Sequence, residues 1–124
     1  MSATTAAPRP RPAPPREYRF PAYERFRMPN GMGVLVAPVT KLPVVTVAVV
    51  VDAGAVCDPA GREGLAQLTA RLLLEGTATS DGAELTERFE SLGASVEAHA
   101  DWDSAVLTMT ALTDNLEPAF SVLA

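Results

Sequence analysis

Between Leu42 and Val51 the chain reads LPVVTVAVVV, with apolar side chains at odd and even positions alike. A half-exposed strand would alternate, so a β-branched run of this kind predicts a strand covered on both faces. Upstream, YERFRMPNGMGVLVAPV sets Asn30-Gly31 between two extended runs. Asn-Gly supplies the positive φ angles of a two-residue turn, and a hairpin joining Tyr23 to Met28 with Gly33 to Pro38 is expected. Beyond Gly61 the apolar period lengthens. Leu65, Leu68 and Leu72 fall at spacings of three and four, which predicts a helix with Gly76 as its C-cap glycine. Glu63, Gln67, Arg71 and Glu75 recur every four residues and form a polar stripe beside those leucines.

A second helix starts at Asp81, with Glu84 three residues on as a capping-box partner. It buries Leu85, Phe89 and Leu92 before stopping at Gly93. Two strands follow, ASVEAHAD and WDSAVLTMTAL. A third helix opens near Asp114, with Pro118 in its first turn, where a missing amide is tolerated. This order predicts an α+β fold, a largely antiparallel sheet with helices packed on it. The last helix reaches Ala124 on Phe120, Val122 and Leu123, residues that ought to face a core, so the sequence reads as a truncated domain.

Composition adds a boundary. Five prolines stand in the first 16 positions, with Arg9, Arg11, Arg16 and no acid. Fixed φ angles and missing amide donors make residues 1–20 an expected disordered arm rich in Pro, Ala and Arg, leaving 21–124 as the domain. PRPRPAPP also has the form of a PxxP ligand, but a plain spacer is the commoner use of such a segment. From Glu17 onward 7 basic residues face 15 acidic ones with no Lys/Arg cluster, which argues against nucleic acid as a partner. No apolar segment follows the N-terminal arginines as in a secretory signal. The longest apolar run is half of the ~20 residues that cross a bilayer, so no membrane association is expected and a cytoplasmic location is the default.

The chemistry available is narrow. Cys57 is the single cysteine and His99 the single histidine, whereas most zinc sites use paired imidazoles or thiolates. Cys57, in GAVCDP, has no assignable base and reads as a small loop or core residue. Glu97, His99 and Asp101 alternate and share one face of a strand. That row could hold a cation, but it reads better as the polar face opposite Val96, Ala98, Ala100 and Trp102. Taken by composition, the Gln67/Arg71 stripe is likewise a solvated helix face.

GREGLAQLTARLLLEGT nevertheless resembles the active-site helix of the pitrilysin/insulinase zinc metallopeptidases, among them the mitochondrial processing peptidases. There the pattern runs G-L-A-H-x-x-E-H-x-x-x-x-G-T. Gly64, Leu65, Ala66, Gly76 and Thr77 keep the frame, while Gln67, Ala70 and Arg71 stand at the His, Glu and His positions. RMPNGMGVLVAPV, VVTVAVVVDAGAVCDPAGREG and LTERFESLGASVEAHADWDSAVLTMTAL resemble the family's other early blocks in the same order, so the resemblance runs from about Phe26 to Ala124. In such a motif two histidines at i and i+4 hold Zn²⁺ and the glutamate activates its water. The family's third ligand, a glutamate, lies further along than Ala124. The family's Asn-Ala-x-Thr element beside bound substrate corresponds here to Glu97, Ala98, His99 and Ala100, with Asn and Thr replaced.

The resemblance implies a non-catalytic member with a degenerate motif, no catalytic residue, and no metal or cofactor of its own. Its implied partners are a zinc-bearing homologous peptidase subunit and a peptide substrate. Two alternatives remain at this stage. One is a hydrolase with an unrecognised site; the other is a peptide-binding or scaffold module without a protease partner, taking an extended ligand at a sheet edge.

Overall fold

The computed structural model describes residues 13–14 and 17–124, so most of the expected arm lies outside the described residues. The chain divides into a unit ending at Thr40 and a unit spanning Lys41–Ala124. In the first, β1 (Glu24–Arg27) pairs antiparallel with β2 (Gly33–Val36), Arg27 facing Gly33. The hairpin is as expected, but its turn is not the two-residue form. Met28 N–H donates to the Met32 carbonyl, leaving a loop of Pro29, Asn30 and Gly31 in which Gly31 alone has positive φ, at 88°. Pro29 fixes a negative φ suited to the first corner of a type I turn, and the glycine then closes the loop in the left-handed region. The Asn30 side chain accepts from Met32 N–H at 3.1 Å.

In the second unit β3 (Val44–Val51), β4 (Ser95–Ala100) and β5 (Ala105–Leu112) form an antiparallel sheet in the order β3-β5-β4. Three helices accompany it: α1 (Leu65–Leu72), α2 (Gly82–Ser91) and α3 (Leu116–Leu123). Val47, Met109 and Val96 face one another across the three strands. Fully buried Met109 at their centre packs with Phe89, Ala94, Ala111 and Ala119. This is the helix-covered face, with α2 and α3 supplying Phe89 and Ala119, and α1 lying against β4 and β5. An α+β fold with an antiparallel sheet under packed helices is the observed class.

The opposite face corrects the expectation of a doubly covered strand. Its rows are Thr46–Thr110–Ser95, Ala48–Thr108–Glu97 and Val50–Val106–His99. No element of the Lys41–Ala124 unit covers it, and Val50 is 66% exposed. The β-branched residues stabilise extended backbone whether or not they are covered, so composition alone did not distinguish the cases. The α2 expectation holds in detail. The Asp81 side chain accepts from Glu84 N–H at 2.9 Å and Glu84 accepts from Asp81 N–H at 3.2 Å. Gly93, at φ 62°, closes the C-terminus with Ala94 N–H donating to the Phe89 carbonyl. In α3 Pro118 sits in the first turn. Ala119 is buried, Val122 and Leu123 pack against the core, and Phe120 remains 41% exposed.

Candidate functional site

The site to test is α1. Asp58, in the loop that follows a short 3₁₀ turn at Ala55–Cys57, reaches forward to the helix start. Its carboxylate accepts from Gly64 N–H at 2.7 Å and Ala66 N–H at 2.9 Å. Those amides have no partner inside the helix, and Gly64, the N-cap residue at φ 95°, has no side chain to satisfy them. Asp58 is the one positioning residue that pattern reading missed. It stands six and eight residues ahead of its partners, outside the spacing of any local cap signature. Just before the helix, the Glu63 carboxylate accepts from Gly61 N–H at 3.0 Å. That bond, and a second from its own backbone, hold its carboxyl below the usual carboxylate range.

Within α1 the leucines do not face the core. Leu65, Leu68 and Leu72 are exposed, Leu68 at 55%, while Ala70 is 2% exposed and Ala66 half-buried. Small side chains face the strands because the helix lies close to the sheet, and the larger ones are left outward. Gly76 is not the C-cap. The helix ends at Leu72 with right-handed Leu73 as cap, and Gly76 instead bridges Asp81 at the entry to α2.

Gln67 and Arg71 are exposed on the flank of α1, and Ala70 lies between them against the sheet. The three motif positions therefore occupy one stretch of helix as the frame requires. They do not fit zinc: Ala70 offers no donor atom, Gln67 a neutral amide, and Arg71 a fixed positive charge that opposes a dication. Among the described residues no group of three or more His, Cys, Asp and Glu side chains could hold a metal ion. On β4, Glu97 and His99 project from the open sheet face while Val96, Ala98 and Ala100 are half-buried on the other. His99 Nε2 lies 4.0 Å from Asp101 Oδ2, both exposed. Trp102, expected on the inner face, sits instead in the β4–β5 turn at 69% exposure, because the strand ends at Ala100. Cys57 is exposed.

Comparison with known proteins agrees with this geometry. Residues 34–124 match the family Insulinase (Peptidase family M16). The chain belongs to that family, in a form whose helix lacks the zinc motif. Among solved structures it is similar to the peptidase M16 inactive domain from Pseudomonas fluorescens, with 30% identity and a TM-score of 0.78, covering 82% of this chain and 25% of that one. A protease from Helicobacter pylori shares the fold at 21% identity and a TM-score of 0.74, over 84% of this chain and 25% of its own. An uncharacterized zinc protease of Rickettsia bellii (strain RML369-C) is 22% identical over 98 residues, 79% of this chain and 24% of that protein. The chain thus spans about a quarter of the length of these relatives. Among the described residues no helix is long and apolar enough to cross a membrane.

Proposed function

We propose that the chain is a non-catalytic subunit, or part of one, in an insulinase-like peptidase complex, and that it helps a zinc-bearing homologue bind and process peptides. The observation that carries this reading is the contrast inside α1: Gly64, Leu65, Ala66, Gly76 and Thr77 persist while Gln67, Ala70 and Arg71 replace the ligands and the base. A helix that keeps its frame and its seat on the sheet without its chemistry serves as shape. The likeness to a Pseudomonas fluorescens domain described as inactive supports it. So does the outward row of Leu65, Leu68 and Leu72, an apolar surface of the kind that marks interfaces. Peptide contact in this reading falls to Glu97, Ala98, His99 and Ala100. They lie on β4, which has no further strand on its outer side among the described residues, and an extended ligand adding there would meet them.

The test is co-expression of the natural protein with its zinc-motif homologue. The two should co-elute, zinc should be found only in the homologue, and peptidase activity should require both. A homologue fully active alone, beside a chain that elutes separately but still binds peptide, would replace this reading with an independent peptide-binding module. Chelator-sensitive turnover by the isolated chain would replace it with an enzyme.

A further inference from the structure

We propose that Asn30 is a site of spontaneous deamidation whose rate is set by opening of the β1–β2 hairpin. Asparagine is a thermolabile side chain, and Asn30 is followed by Gly31, which has no side chain to hinder attack on the asparagine amide. Both residues are exposed. The Gly31 amide nitrogen loses its proton and attacks Asn30 Cγ, an intramolecular step favoured by proximity. The new N–Cγ bond closes a cyclic imide as the Cγ–Nδ2 bond breaks, and the proton leaves with Nδ2 as ammonia. Water then adds to one of the two imide carbonyls. Breaking the N–Cγ bond gives aspartate; breaking the bond from that nitrogen to the main-chain carbonyl carbon gives isoaspartate. Nothing is oxidised or reduced, and water is the only co-reactant. The other asparagine, Asn115, is followed by the bulkier Leu116, and its side-chain amide donates to the Leu92 carbonyl at 2.8 Å.

The closed loop withholds both reacting groups. Gly31 N–H donates to the Met28 carbonyl at 2.8 Å, and Asn30 Oδ1 accepts from Met32 N–H at 3.1 Å. Met28 N–H closes the loop on the Met32 carbonyl at 2.9 Å, and Arg27 Nη1 donates to the Gly31 carbonyl at 3.5 Å. Attack requires the Gly31 nitrogen to give up its acceptor and the Asn30 side chain to leave Met32, so the reactive form is the opened loop. A hairpin of two four-residue strands lies at the low end of local stability. It closes within ~1–10 μs, far faster than deamidation, so the modification tracks the population of the open form. The outcome is irreversible. Isoaspartate adds a methylene to the main chain between Asn30 and Gly31, inside the loop that sets Arg27 opposite Gly33. That register cannot then be regained without a bulge. Aspartate keeps the backbone length and adds a negative charge to the loop.

The test is incubation of the chain in mildly alkaline buffer, where the amide anion forms more readily, with and without urea. Peptide mapping by mass spectrometry follows Asn30 and Asn115. In urea Asn30 should convert to a mixture of aspartate and isoaspartate, well ahead of Asn115. Without urea its conversion should be at least about tenfold slower, in proportion to the open fraction. Phe26→Ala removes the cross-strand partner of Val34, outside the loop, and should raise the rate without urea by about two- to fivefold while leaving the rate in urea unchanged. An Asn30 that stays intact in urea is no deamidation site. Equal rates with and without urea would mean that the loop does not protect it, and this comparison decides the matter even if Phe26→Ala perturbs more than the hairpin. A variant that converts no faster than the wild type without urea would mean that hairpin opening does not set the rate. Each of these three results overturns the proposal.

Discussion

Helices α1 and α2 have similar lengths, 8 and 10 residues, but they relate to the protein in opposite ways. The start of α2 is fixed by its own neighbours, Asp81 and Glu84, and its large side chains Leu85 and Phe89 are buried. The start of α1 is fixed by Asp58 from a preceding loop. It buries Ala70 and turns Leu65, Leu68 and Leu72 outward. An amphipathic period states that a helix has an apolar side without stating what that side meets. In α2 it meets the core of the same unit; in α1 it is surface, next to the positions where the family keeps its chemistry.

The sharpest way to break this contrast is truncation on each helix. Phe89→Ala removes a ring that packs with Met109, Ala94 and Ala119, and should cost about 3–5 kcal/mol. Leu68→Ala removes side-chain atoms that are already largely in water, and should stay within about 1 kcal/mol. Urea denaturation of both variants measures the pair. Equal losses would mean that the leucine row is covered in solution, and the two helices would no longer differ in kind.

A smaller effect separates the two caps. Asp58→Ala leaves the Gly64 and Ala66 amides without their acceptor at a helix start that has no substitute, for a loss of about 1–2 kcal/mol. Asp81→Ala removes one bond of a reciprocal pair, for about 1 kcal/mol. Hydrogen exchange should localise the first loss to the first turn of α1 and the second to α2. Loosening of α2 in the Asp58 variant would show that the helices share one cooperative start.

These two helices also show what the sequence disclosed. The capping box, the apolar pair at Leu85 and Phe89 and the closing glycine are local, and α2 followed from them almost residue for residue. The frame of α1 and the vacated positions Gln67, Ala70 and Arg71 were equally plain, because a motif is a local pattern too. What escaped was non-local. Which face of α1 meets the sheet depends on how closely the helix lies on β4 and β5, and small residues win that face over leucines. Asp58 acts across a loop, Gly76 serves a bridge to Asp81 instead of a cap, and the open face of β3 depends on what other elements do.

The smallest expected effect lies in the turn that leads into α1, and its sign is fixed by the Glu63 bond. Gly61 N–H donates to the charged carboxylate, so the folded pKa lies below the unfolded one. A carboxyl depressed in this way adds stability that is fully present above the unfolded pKa and is lost as pH falls through the folded value. Acidification from about pH 5 to about pH 3 should therefore weaken the wild-type chain slightly more than Glu63→Gln, which has no proton to take up there. The difference is small because the carboxylate is exposed to solvent, which screens its interactions. Urea midpoints at the two pH values measure it, and a carboxyl titration by NMR should place Glu63 below its value in the unfolded chain. If Glu63→Gln loses as much on acidification as the wild type, the Gly61 bond does not tie the turn to folding, and the start of α1 rests on Asp58.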